Sequence, residues 1–129
     1  MVEVSAMLSR FLYVESCGQC PPCKLGTGAI TEALDRIRTG DGRDADLDTI
    51  QRRLQVVADG NRCYLPVQER ELISSFLRAF PEDVVAHLDG HCPSDRAELP
   101  VPKIVDLADG VVTYDARQML KRPDWTYAD

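Results

Sequence analysis

Three thiols stand within seven residues of this chain, as Cys17-x-x-Cys20-x-x-Cys23. A loop this tight can wrap one inorganic cluster and offer three sulfurs to three irons. A fourth iron then needs a ligand from elsewhere, and Cys63 lies 40 positions beyond Cys23. A cysteine triplet with one remote cysteine is an iron–sulfur pattern. Zinc sites more often pair two Cys-x-x-Cys knuckles, and here the remote side supplies a single cysteine. The residues therefore point to one [4Fe–4S] cluster on Cys17, Cys20, Cys23 and Cys63. A structural zinc, or thiols that carry no metal, are the alternatives. His91-Cys92-Pro93 lies beyond the helical part of the chain, so Cys92 is read as an ordinary thiol, and His87 and His91 as surface or packing residues.

The surroundings suit an anionic centre. A helix that starts near Cys23 turns its positive end toward the thiolates. Lys24 and Arg62 flank two of the ligands and add compensating charge. Gly18 and Gly26 are expected to let backbone N–H groups approach the sulfurs, which raises the reduction potential.

Helices are needed to position these residues. Val4, Met7, Leu8, Phe11 and Leu12 form an apolar face over residues 2–14. A second helix is expected from about Cys23 to Thr39, with Ile30, Ala33, Leu34 and Ile37 at helical spacing and Gly40 just past its end. Asp46 is expected to cap a third helix carrying Ile50, Leu54 and Val57, stopped by Gly60. A fourth spans about Val67 to Phe80 and buries Leu72, Ile73, Phe76, Leu77 and Phe80. Pro81 suits the first turn of a short last helix through Leu88. Helices two and three, joined by a turn, return the chain to the start of helix two and bring Cys63 near the loop.

The pattern changes after Gly90. Pro93, Pro100 and Pro102 mark a linker, and Asp109-Gly110 between two β-prone runs signals a hairpin near 103–115. The last residues, with Trp125 and Tyr127, read as an arm that packs on something. The expected architecture is mainly α: a small helical bundle around the cluster over residues 1–90, then a linker, β-hairpin and C-terminal arm over 91–129.

Composition narrows the function further. The chain has 129 residues, 15 Lys and Arg against 21 Asp and Glu, and a net charge of −6. No basic run exceeds two residues, which argues against nucleic acid as the main partner. No apolar run approaches the ~20 residues that cross a bilayer, and the N-terminus has no signal-peptide pattern. A cytoplasmic location is the expectation. Closely spaced cysteines there bind metal or do redox work more often than they form disulfides.

At this point Glu15-Ser16-Cys17-Gly18-Gln19-Cys20-Pro21-Pro22-Cys23-Lys24-Leu25-Gly26-Thr27 resembles the iron–sulfur segment of the flavin-carrying, NADH-oxidising subunit of respiratory complex I. Related subunits occur in NAD-linked hydrogenases and formate dehydrogenases. The family pattern is Glu-Ser-Cys-Gly-x-Cys-x-Pro-Cys-x-x-Gly, followed about forty residues later by one more cysteine, and the resemblance covers roughly residues 2–88. It implies a helical bundle holding one [4Fe–4S] cluster that takes electrons from reduced FMN and passes them to the next cluster. It assigns the ligand role to Cys17, Cys20, Cys23 and Cys63. The family often has Leu-Gly-Asp after its fourth cysteine, whereas Tyr64-Leu65-Pro66-Val67 follows here, and the tail after Gly90 matches nothing in the family's core. The full subunit also carries a glycine-rich FMN and NADH domain and a ubiquitin-like domain, for which this chain has no room. The resemblance thus implies a fragment, or a subunit with a separate flavoprotein or other redox partner, that does not oxidise NADH alone. A structural zinc-binding or protein-interaction module without a redox role is the alternative.

Overall fold

The computed structural model describes residues 1–90, 99–101 and 103–128. His91, Cys92, Pro93 and Pro102, read above as bystanders or linker, lie outside the described residues.

Five helices follow one another: α1 (Val2–Glu15), α2 (Pro21–Thr39), α3 (Asp44–Val56), α4 (Leu65–Ala79) and α5 (Pro81–Leu88). A two-stranded antiparallel hairpin, β1 (Ile104–Ala108) and β2 (Val111–Tyr114), comes next, then a 3-10 turn over Ala116–Leu120. The mainly helical bundle with a C-terminal hairpin agrees with the sequence.

Helix α2 is the centre of the bundle. Its Ile30, Ala33, Leu34 and Ile37 are buried against Ile50 and Leu54 from α3 and Val57 just past its end, Ile73 and Phe76 from α4, and Val84 from α5. The i, i+3, i+4, i+7 stripe read from the sequence is thus the stripe that packs. Gly40 ends α2 in the left-handed conformation, at φ +87°, where a Cβ would be strained.

Three expectations need correction. On α1 the fully covered face is Val2, Ser5, Ala6, Ser9 and Leu12, whereas Val4, Met7, Leu8 and Phe11 are only half-buried. Small side chains let α1 lie close to α2, and Leu8 and Phe11 instead line a groove with Tyr64, Gln68 and Leu72 of the α4 side. Asp46 is not the cap of α3 but sits in its first turn. Its Oδ2 accepts from the Arg43 amide at 2.9 Å, and its Oδ1 accepts from Arg36 Nε at 2.9 Å and Nη2 at 2.7 Å. Phe80 is exposed, because the chain turns there into α5; its ring only stacks on Phe76 at 6.4 Å.

Helix α5 closes the bundle against the start of α1. Asp83 Oδ2 accepts from the Val2 amide at 2.9 Å and the Met1 amino group at 2.6 Å. This satisfies a donor that the first turn of a helix leaves unpaired. His87 is buried, its Nε2 3.1 Å from Glu3 Oε1 and its Nδ1 2.7 Å from the Asp83 carbonyl. It packs the bundle, one of the two roles read for it.

Candidate metal centre

The cysteine loop is built by a helix end, a glycine turn and a helix start. Helix α1 stops at Ser16, whose amide still bonds back to the Leu12 carbonyl at 3.0 Å. Gly18 then turns the chain at φ +75°, a conformation that few other residues reach without strain. Cys20 is the N-cap of α2, and Pro21 and Pro22 fill its first two positions. Proline is at home there because those N–H groups would have no helical partner. Cys23 follows in the same turn, so Cys20 and Cys23 both stand at the positive end of α2.

Cys63 arrives on the turn between α3 and α4, where the Asn61 side-chain amide donates to the Cys63 carbonyl at 2.9 Å. The return of α3 along α2 is close. A Cβ on Gly26 would stand 2.8 Å from Val57 Cγ2 and 3.2 Å from Val57 Cβ. Gly26 therefore serves helix packing, a role that its place in the motif did not suggest.

The four thiols differ in exposure and act on one another. Cys17 and Cys63 are exposed, Cys20 is partly covered and Cys23 is buried, all four free of disulfides. Burial pushes the Cys23 thiol up; the Ser16 hydroxyl, 3.4 Å from its sulfur, opposes this, and charge on Cys63, Cys20 and Cys17 adds to it. That influence reaches Cys23 from the remote Cys63 as well as from its own loop. Among the described residues, no three His, Cys, Asp or Glu side chains converge closely enough to hold a single metal ion. Thiols at the start of α2, with a hydroxyl on one sulfur and a lysine next in the chain, are the donor type that iron–sulfur clusters use.

That cation is Lys24. Its Nζ donates to the carbonyls of Tyr13 at 3.0 Å, Ser16 at 3.0 Å and Pro123 at 2.6 Å. Burial lowers its pKa, and Cys23, Cys17 and Asp124 pull it back up. Arg62, the second cation read from the sequence, is exposed beside Cys63.

The C-terminal arm is the part of the site whose docking place the sequence did not reveal. Arg10 Nη2 donates to the carbonyls of Met119 at 2.9 Å and Lys121 at 3.2 Å. Glu15, the first residue of the motif, accepts from Gln118 Nε2 at 3.0 Å and Lys121 Nζ at 2.7 Å. Residues 121–128 then fold into a tight turn in which Trp125 has φ +68°. The turn and the loop flank an open crevice of about 220 Å³ lined by Ser16, Cys17, Gly18, Lys24, Pro123, Asp124 and Trp125.

Comparison with known proteins bears on the same residues. The family model described as the NADH-ubiquinone oxidoreductase-F iron–sulfur binding region matches residues 3–87. The chain is 35% identical over 95 residues to the NADP-reducing hydrogenase subunit HndC of Solidesulfovibrio fructosivorans, covering 73% of this chain and 19% of that one. It is 40% identical over 84 residues to the NADP(+)-dependent formate dehydrogenase subunit beta of Moorella thermoacetica, covering 63% and 12%. With an NADH-quinone oxidoreductase chain of Streptomyces coelicolor it shares 33% identity over 99 residues, covering 76% and 22%. The chain thus spans about a fifth or less of these relatives. Among the described residues no helix is long and apolar enough to cross a membrane. The matched stretch holds all four cysteines and all five helices but for the first residue of α1 and the last of α5, and the chain belongs to the NADH-ubiquinone oxidoreductase-F iron–sulfur binding region family.

Proposed function

We propose that Cys17, Cys20, Cys23 and Cys63 hold one [4Fe–4S] cluster, and that residues 1–90 form the electron-transfer module of an NAD(P)H-linked oxidoreductase complex. The observation that supports this reading is that the Cys17–Cys23 loop runs into the start of α2 and that Cys63 acts electrostatically on Cys23, all inside the matched iron–sulfur region. Bound there, such a cluster would supply one-electron transfer between a reduced flavin of a partner subunit and a further redox centre.

The chain's own residues do the rest. Gly18 turns the loop, and Pro21 and Pro22 hold its shape. The N-terminal end of α2 and Lys24 offset the charge of four thiolates. The Ser16 hydroxyl, 3.4 Å from the Cys23 sulfur, would donate to it as a thiolate, and hydrogen bonds to sulfur favour the reduced state. Cys17 and Cys63 are exposed, as are Leu25 and Tyr64 nearby in the chain. A partner can therefore approach the sulfurs closely, and the acidic chain is taken to act in the cytoplasm beside its flavoprotein.

The test is metal and sulfide analysis of anaerobically prepared protein with cysteine variants. Four irons and four sulfides per chain are expected, with a broad absorption that Cys63→Ser and Cys20→Ser remove to a similar extent and Cys92→Ser leaves intact. Stoichiometric zinc without sulfide would assign the thiols to a structural metal. An unchanged spectrum in Cys63→Ser would remove that residue from the ligand set.

A further inference from the structure

We propose that Lys24, held in place by the C-terminal arm, is a positioning residue that sets the reduction potential of the centre. This rests on the cluster assignment above and goes beyond it, because the arm lies outside the matched residues 3–87.

An ammonium has three N–H donors and no acceptor. At Lys24 each donor meets one backbone carbonyl, from Tyr13, Ser16 and Pro123. The first two belong to the end of α1 and the start of the loop. The third, the shortest at 2.6 Å, comes from the arm, 99 residues further along the chain. The Nζ is thus fixed at a defined place beside the loop and is not free to swing into water as a surface lysine does. Lys24 follows Cys23 in the chain and shares the crevice with Cys17.

The arm is itself anchored away from the cysteines. Arg10 holds the carbonyls of Met119 and Lys121, and Glu15 holds Lys121 and Gln118. These contacts seat the turn in which Trp125 adopts φ +68°, a conformation rare for a bulky residue and kept only where surroundings enforce it. The arm therefore acts as a strap that delivers one carbonyl to Lys24.

The electrostatic consequence has a definite sign. One electron entering a cluster adds one negative charge, and no bond or proton of the chain need change. A fixed cation nearby stabilises that reduced state, so it raises the potential. The Lys24 charge interacts with Cys23 and Cys17, and such an interaction is strong where the effective dielectric is about 20 and is cut down where water reaches the crevice. Loss of the charge is expected to disfavour reduction roughly tenfold, which for a one-electron couple is about 59 mV.

The experiment uses the full chain, anaerobically loaded with iron and sulfide: wild type, Lys24→Arg, Lys24→Gln and Arg10→Met. Iron and sulfide content is measured first. Potentials then come from dithionite titration followed by electron paramagnetic resonance, and emission of Trp125, the single tryptophan, reports arm docking in the cluster-free protein. Lys24→Gln should lower the potential by about the stated amount, and Lys24→Arg should keep it. Arg10→Met should change the Trp125 emission and lower the potential in the same direction by less. A full cluster whose potential is the same in Lys24→Gln and wild type would overturn the inference. So would a Lys24→Arg potential as low as that of Lys24→Gln, since packing and not charge would then be responsible. If Lys24→Gln fails to hold a cluster, Arg10→Met decides: a released arm with an unchanged potential would overturn it. A wild-type chain that binds no iron and sulfide would instead sink the cluster assignment, and this inference with it.

Discussion

Glu69 shows how far a single residue can sit from what its neighbours in sequence suggest. It stands in the polar run Gln68-Glu69-Arg70-Glu71, yet it is fully buried. Its Oε1 lies 2.6 Å from Ser9 Oγ, which is in turn 2.9 Å from Thr31 Oγ1, while Oε2 has no hydrogen-bond partner among the described residues. Burial raises its pKa to about 7, with the Ser9 hydroxyl opposing. The folded chain thus keeps a proton that the unfolded chain releases near the ordinary carboxyl value. The stabilisation is fully present below about pH 4.5 and is lost as pH rises through about 7. A shift of one unit corresponds to about 1.4 kcal/mol, so the full effect is on the order of a few kcal/mol. Glu69→Gln should match wild type in urea denaturation at pH 5 and be the more stable of the two at pH 8. A difference between them that does not vary with pH would show that Glu69 is not held protonated. No sequence signal marked this residue, because its burial is permitted by the small Ser9 across the interface on α1. The Cys17–Cys23 loop was legible for the opposite reason: its chemistry is set by spacing within seven residues.

At the scale of elements, helix existence is plain from apolar periodicity, and helix faces are less so. The stripe on α2 is legible because every helix that packs on it needs the same large aliphatic side chains. On α1 the larger residues suggest the inner face, but the helix approaches α2 through Ser5, Ala6 and Ser9. Close helix approach selects small residues, and a hydrophobicity pattern does not register them. Gly26 belongs to the same class. Alanine there would gain about 1 kcal/mol in helix propensity, but its Cβ would meet the buried Val57 at 2.8 Å. Val57 is β-branched and fully enclosed, so it cannot turn away, and overpacking of this kind costs about 1–3 kcal/mol. Gly26→Ala should therefore lower stability by roughly 1 kcal/mol net. A rise in the urea midpoint would mean that α2 and α3 are not held at this distance by Gly26. Gly28 faces the edge of the half-buried Tyr13 ring, at 2.9 Å, which has room to swing, so alanine there should cost less.

In the whole molecule, the hairpin is announced by Asp109-Gly110, both at positive φ as a two-residue turn requires. The return of the arm onto α1 is not announced, because Arg10 and Lys24 reach backbone carbonyls that any residue could supply. The same folded whole argues about NADH. Of its two G-x-G spacings, Gly26-Thr27-Gly28 lies inside α2, where the amides are spent on the helix and both glycines face side chains of the bundle, and Gly40-Asp41-Gly42 ends α2, where the Gly40 and Asp41 amides bond back to the Ile37 and Arg36 carbonyls. They are not a loop that cradles phosphate. Electron counting leads to the same expectation. NADH gives up a hydride, a pair of electrons, whereas a [4Fe–4S] cluster takes one, and a flavin is the cofactor that divides the pair. The loaded chain should keep its visible absorption when mixed anaerobically with NADH, lose it with dithionite, and lose it with NADH once a flavoprotein partner is added. Bleaching by NADH alone would require a flavin or nucleotide site within these 129 residues. Failure to bleach with a flavoprotein that NADH demonstrably reduces would mean that this protein is not the partner, or that the exposed Cys17 and Cys63 side is not the surface through which electrons enter. Where the mixture does bleach, slower bleaching of Tyr64→Glu, which places a charge one residue from Cys63, would place the entry at Cys63.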